Sequence, residues 1–309
     1  GIAMYSYWLA DGPEYQDGLG VLRKEGYIDA AFITAILIFI TLSYSAQVTR
    51  KYIPTLSRPP AQVHSLVVLI KQAGDTLKDK NFAVIALSGI FHACAIGTAS
   101  ALWVYMQPYF WGFDSGQISL MLVGNLFSAL LAFSILPFLM RGREKKPILI
   151  TTSVMALFTN CLPVLLSLYD LFPAVGTQLL FYTMFVTGIF QVTLLVITSS
   201  LTGSVLADVV DARSVHTGRR EEGLLFSVQS FMGKVATGIG VSMAGMILTL
   251  VAFPTDVLDA DLGADVASNL GRLYACALGF FFTLSIVTLL FFSLDRVAHE
   301  KNIALLDAS

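Results

Sequence analysis

Lys234 lies about eleven residues inside an apolar run, 223–251, that contains no other charged side chain. At the centre of a bilayer an ammonium costs roughly 2.5–3.5 kcal/mol on insertion scales. Snorkelling relieves that cost near helix ends, but from Lys234 the stem would have to cover most of a half-bilayer. The residue is therefore expected to face a water-filled cavity, where it pairs with a carboxylate or donates hydrogen bonds to a polar solute. Ser230 precedes it by one helical turn and shares its face, and Gln229 stands beside Ser230. For these two an ordinary hydrogen bond between helices is the competing reading. A second polar stripe runs along 175–206, where Gln191, Thr198 and Thr202 fall on roughly one side. Hydroxyls there can line a path or simply bond back to carbonyls of their own helix, whereas the amide of Gln191 has more groups to satisfy. Together Lys234, Ser230, Gln229, Gln191 and Thr198 form the candidate solute-binding set.

Other polar residues carry weaker signals. His92, alone among Phe91, Ala93 and Cys94, reads first as a packed neutral imidazole and second as a proton-relay group. Trp103, Tyr105 and Gln107 fall near the end of their run, where interfacial anchoring is the default and an aromatic platform under a sugar ring is the alternative. Cys94, Cys161 and Cys276 are far apart and each is set in an apolar run, so neither a metal site nor a disulfide framework is expected. No nucleophile–base pair or metal-ligand cluster stands out, and an enzyme is the least favoured class.

The elements that must position these residues are long apolar helices. The 309-residue chain is 56% hydrophobic and 13% charged, too apolar for a domain that solvates its own surface. A hydrocarbon core about 30 Å thick needs roughly 20 apolar helical residues. Seven stretches qualify: 28–47, 82–107, 115–139, 147–169, 175–206, 223–251 and 272–294. The predicted fold is an all-α polytopic bundle. Pro137 and Pro163 are expected at kinks or helix ends. The net charge of −2 gives no reason to expect nucleic acid; the expected partners are lipid and a small solute.

Charge placement orients the bundle, because Lys and Arg are retained on the cytoplasmic side. Segment 48–81 carries Arg50, Lys51, Arg58, Lys71, Lys78 and Lys80 around Pro59-Pro60. The 140–147 loop carries Arg141, Arg143, Lys145 and Lys146, the 207–222 loop Arg213, Arg219 and Arg220, and the tail 295–309 Arg296 and Lys301. Loops 108–114, 170–174 and 252–271 carry no base. The predicted arrangement has an external segment 1–27 and a cytoplasmic C-terminus, in the inner (plasma) membrane. An outside start, seven spans and an inside end match what remains when five spans are removed from a twelve-span carrier. On that count 28–47 is the last span of an N-terminal bundle, 48–81 the cytoplasmic linker and 82–294 a six-helix C-terminal bundle.

The string ADVVDARSVHTGRREEGLLFSVQSFMGKVATGIG at 207–240 resembles the signature region of the glycoside-pentoside-hexuronide:cation symporters, the melibiose-carrier type within the major facilitator superfamily. Its A-D-x-x-D start, its T-G-R-R-E-E-G middle and its F-S-x-Q-x-x-x-x-K helix follow the family pattern in order. The resemblance implies a secondary carrier that moves a sugar with Na+ or H+ by alternating access, and no further cofactor. It places Lys234 near the sugar and cation sites, with Ser230 at a sugar-contacting hydroxyl position and Gln229 at a matching position of the motif. Asp208, Asp211, Arg219, Arg220 and Glu222 fall in a cytoplasmic gating segment. At Ser199, nine residues before Asp208, the melibiose carrier has a tryptophan beside its sugar, so the resemblance does not extend to melibiose itself. In that family the cation-binding carboxylates lie mainly in the N-terminal half, which the expected arrangement leaves out apart from its last span. A carrier of the same fold for a non-sugar solute is the alternative.

Overall fold

Residues 24–55, 74, 78–217, 222–254 and 263–293 are described by the computed structural model. Seven helices long and apolar enough to cross a bilayer lie within them. They are α1 (Lys24–Thr49), α2 (Lys80–Tyr105), α3 (Ser115–Met140), α4 (Lys145–Leu168), α5 (Gln178–Thr217), α6 (Glu222–Leu250) and α7 (Ala264–Leu290). A 3-10 turn, Arg50–Thr55, follows α1, and a π-helical turn, Met106–Phe110, ends α2. The expected all-α polytopic fold is the observed one.

The spans begin and end where local chemistry allows. The Asp79 carboxylate accepts the Phe82 amide N–H and caps α2. Asp114 and Gln117 form a reciprocal capping box at the start of α3. In the turn after α2, Pro108 has no N–H to give the helical ladder, and the Trp111 amide reaches back five residues to the Met106 carbonyl at 3.0 Å. Gly112, at φ +67°, then reverses the chain. Pro137 sits inside α3 and Pro163 inside α4.

Two boundaries differ from expectation. The 207–222 segment was expected to be a loop, yet α5 continues to Thr217. Val205 and Val209, Leu206 and Val210 are all buried, so an i, i+4 apolar stripe continues through the charged residues, and no Gly or Pro interrupts it between Ser204 and Thr217. The last span starts at Ala264 rather than near 272. Leu270 is fully buried, and Asp265 in the first turn suits the positive end of the helix dipole.

Packing orders α2–α7 as a row of neighbours: α6 lies on α2, α2 on α7, α7 on α4, α4 on α5 and α5 on α3, with a lighter contact from α2 to α5 that brings the row round on itself. The closest approach is α2 to α6. Ala236, Gly240 and Ala244 line the inner side of α6, and Ala236 and Ala244 are buried. A Cβ on Gly240 would strike the Cys94 carbonyl and come within 2.8 Å of the Thr98 amide nitrogen, while one on Gly97 would strike the Thr237 carbonyl. The backbones thus touch directly, and the Thr98 hydroxyl donates across the seam to the Gly240 carbonyl at 3.0 Å. This is the close approach that a small-xxx-small ladder permits. Ser88 and Ser285 join α2 to α7, their hydroxyl oxygens 2.9 Å apart.

By contrast α1 is almost unpacked. Of its described side chains only Ala30 is buried, and Phe32, Phe39 and Tyr44 are each at least 70% exposed.

Gly240→Val is expected to lower stability by about 1–3 kcal/mol through overpacking. Gly238→Ala, whose added methyl meets nothing within 4 Å, is expected to be neutral. Thermal loss of monodispersity of the detergent-purified protein reads both; equal behaviour of the two variants would remove the α2–α6 contact as a stabilising feature.

Candidate functional site

Two cavities open along the row of helices. The first, of about 430 Å³, lies toward the aromatic end of the bundle, where Phe110, Trp111, Phe113 and Phe181 pack together. The second, of about 360 Å³, lies toward the basic end. Their linings differ in chemistry.

Tryptophans 103 and 111 and the amides Gln107, Asn125, Asn160 and Gln191 line the first cavity, with methionines and Phe185 between them. The Gln191 Nε2 donates to the Thr159 carbonyl at 2.6 Å and ties α5 to α4. The Asn160 Nδ2 donates to the Ala156 carbonyl of its own helix at 2.8 Å. Both amides therefore spend an N–H on the scaffold, which fixes their orientation. Gln107 is buried, and its Oε1 has no hydrogen-bond partner. The π-turn holds it there.

Hydroxyls line the second cavity: Ser88 and Ser285, Ser153, Thr198, Ser199 and Thr202, together with Gln229 and Ser230 from α6. The Thr198 hydroxyl donates to the Thr152 hydroxyl at 3.1 Å. Thr202 bonds back to the Thr198 carbonyl at 2.8 Å. The polar stripe of α5 is thus divided between cavities, Gln191 in the first and Thr198 and Thr202 in the second. His92 lines both.

Lys234 lies elsewhere. It is exposed and lines neither cavity. Ala236, Gly240 and Ala244 of the same helix are buried, so the face that packs on α2 is not the face that carries the ammonium. Gln229, Ser230 and Thr198 are gathered at the second cavity and Gln191 lines the first, while Lys234 stands apart from all four.

Of the expected gating residues, Asp208 is well defined. Lys145, the first residue of α4, donates to both Asp208 oxygens at 2.7 Å. The two side chains are 27% and 14% exposed, and together they clamp the extension of α5 to the start of α4. Next to it, Lys146 donates to the Leu290 and Phe292 carbonyls at the end of α7, where the dipole favours a cation. Asp211 and Glu222 lie on α5 and α6, but their side chains are outside the described residues, as are Arg219 and Arg220 entirely.

Sequence reasoning missed several participants. Trp103 and Gln107 were read first as interfacial anchors, with an aromatic platform under a sugar ring as the alternative, and they line a cavity. Asn125 and Asn160 are single amides within apolar spans, a signal that was present and not used. Lys145 was counted only as a topological charge, and nothing in its neighbourhood along the chain identifies Asp208 as its partner.

A family model described as MFS/sugar transport protein matches residues 10–296. No curated protein matches the chain.

Asp208→Asn and Lys145→Met are each expected to lower thermal stability, and the double variant to lose no more than the worse single one. The coupling read from the double-mutant cycle should be about 1 kcal/mol and shrink in high salt. Additive losses would mean that the two side chains act independently.

Proposed function

As a member of the MFS/sugar transport protein family, to which it belongs, the chain is a multi-pass membrane transporter of a small molecule rather than an enzyme, and we propose that it moves a neutral sugar together with a cation. The observation that carries this reading is the chemistry of the cavities. Among the described residues neither lining contains a carboxylate, an ammonium or a guanidinium. Within largely apolar walls, the polar groups are amides and hydroxyls with the His92 imidazole common to both cavities, and two tryptophan rings line the first. Amides and hydroxyls both donate and accept, which suits a solute whose polar groups are hydroxyls, and an aromatic face suits the apolar side of a sugar ring. Volumes of about 430 and 360 Å³ fall in the range of small-molecule sites.

In this reading α2–α7 form one bundle and α1 is the last helix of another, with 48–81 as the linker between them. The exposure of α1 supports the division, since a helix buried with its own bundle would hide more than Ala30. Alternating access then rocks one bundle against the other, so that the two cavities are reached from opposite faces in turn. Lys234, exposed and outside both cavities, is assigned to a face of α6 turned toward the opposing bundle. The coupling cation, Na+ or H+, is assigned to acidic side chains of the opposing bundle. The Lys145–Asp208 pair acts as part of a gate that is closed in one state and broken in the other. Its end of the bundle, with Arg141, Arg143 and Lys146, is cytoplasmic by the distribution of positive charge, in a plasma or inner membrane. A non-sugar solute is the second reading, favoured by the methionine-rich wall of the first cavity, where Met106, Met121 and Met184 adapt to apolar shapes.

Cells producing the protein should take up protons or Na+ when the neutral members of a panel of glycosides, pentosides and hexuronides are added, and the sugar that evokes entry names the substrate; entry evoked by a hexuronide alone would overturn the neutral reading. Silence across the panel with the protein present in the membrane would favour the second reading. Lys234→Ala is expected to abolish coupled uptake with membrane abundance nearly unchanged; a loss of insertion instead would mark Lys234 as structural.

A further inference from the structure

His92 is a lone imidazole on α2, its ring edge-on to Phe282 of α7 with centroids 5.5 Å apart. It is the polar side chain shared by the two cavity linings, so it stands where one cavity gives way to the other. One turn away on the same helix, Gly89 makes room for an incoming side chain from α6: a Cβ there would lie 2.8 Å from the Gln229 Nε2. Gln229 thus reaches α2 beside His92, and both line the second cavity.

Each of the two leaves a buried polar atom without a partner, His92 its Nε2 and Gln229 its Oε1. A buried donor or acceptor left unpaired costs about 1–3 kcal/mol, and buried polar atoms in folded proteins are nearly always satisfied. Two such atoms on neighbouring turns of one seam, both bordering a cavity, call for an occupant with hydrogen-bonding groups. The Gln229 oxygen can only accept, whereas the His92 Nε2 donates or accepts according to its tautomer. A hydroxyl complements either, because it does both. Phe282, edge-on to the imidazole, holds the ring at the junction, and Gly89 keeps the backbone from closing it.

We propose that His92 is a solute-binding residue at the junction of two successive sites in this bundle, hydrogen-bonding hydroxyls of solute in the first cavity and again in the second as it passes. The inference rests on the reading of the chain as a sugar carrier and adds the order of events within it. Solute entering among the amides of the first cavity is handed to the hydroxyls of the second through the imidazole.

The full chain carrying His92→Cys, in proteoliposomes, is treated from one face and then the other with a membrane-impermeant cationic methanethiosulfonate, with the parent protein as the reference for Cys94, Cys161 and Cys276. Labelling of the introduced thiol from both faces is the expected result; labelling from one face only, or from neither, overturns the junction. In parallel, uptake of methyl glucosides, xylosides and glucuronides is compared for His92→Leu and His92→Gln, since the glutamine amide nitrogen mimics Nε2. His92→Leu is expected to raise KM about tenfold for transport in either direction, and His92→Gln to recover most of that loss. An unchanged KM in His92→Leu would show that water alone satisfies the imidazole and would overturn the binding role. If the parent moves none of these sugars while the thiol is labelled from both faces, the sugar reading fails and the junction stands; if the parent moves a sugar and the thiol is labelled from neither face, the junction fails by itself.

Discussion

Hydrocarbon offers no hydrogen bonds, and every polar group placed in it must find its partner inside the protein. The backbone meets this demand by being helical wherever it crosses. Side-chain hydroxyls meet it in two ways. Exposed ones, such as Thr41, Ser134, Thr183, Ser242 and Thr249, and buried ones such as Ser119 and Ser153, donate back to a carbonyl four residues earlier on their own helix. Those that cross to a neighbour, Ser88 with Ser285, Thr98 with Gly240, Thr193 with Ser128 and Thr198 with Thr152, are buried at helix seams. Hydroxyls and small residues therefore shape the packing: where Gly97 and Gly240 face the partner helix, the backbones of α2 and α6 touch, and the cavities lie where α2 and α5 make only light contact.

The same constraint explains which parts of the fold were legible in the sequence. An apolar run of 20 or more residues between charged loops has few alternatives in a bilayer, and each of the seven expected spans is a helix. The ends were harder. Asp208 and Asp211 look like loop residues because charge is costly in lipid, yet a helix can leave the membrane and continue; the buried stripe Val205, Leu206, Val209 and Val210 was visible at i, i+4 spacing and was outweighed by its charged neighbours. The start of α7 was missed for the converse reason, since its first two turns are too polar to count as span and still pack Leu270 into the core.

The candidate site was legible residue by residue and not as an arrangement. Gln191, Thr198, Gln229 and Ser230 attract attention because amides and hydroxyls are scarce in apolar helices, and all four border cavities. Their division between two cavities depends on how α2, α5 and α6 are turned against one another, which no spacing along the chain encodes. Lys234 shows the limit most plainly. The depth of the charge was evident, but the ladder that marks α6 as a packed helix belongs to a different face. Pairing across the bundle, as between Lys145 and Asp208, is tertiary information of the same kind.

One helix links the two regions. From Met184 in the wall of the first cavity to Asp208 in the ion pair, α5 runs without a break. The 24 residue steps between them make a stiff rod ~36 Å long at about 1.5 Å per step. Pivoted near the cavity, such a rod magnifies small motions: a tilt of about 5° sweeps its far end by about 3 Å on that geometry, as much as the 2.7 Å that separates Lys145 from Asp208. A bound molecule that shifts the wall by less than an ångström can therefore break or make a charge contact most of a membrane's thickness away, by leverage alone.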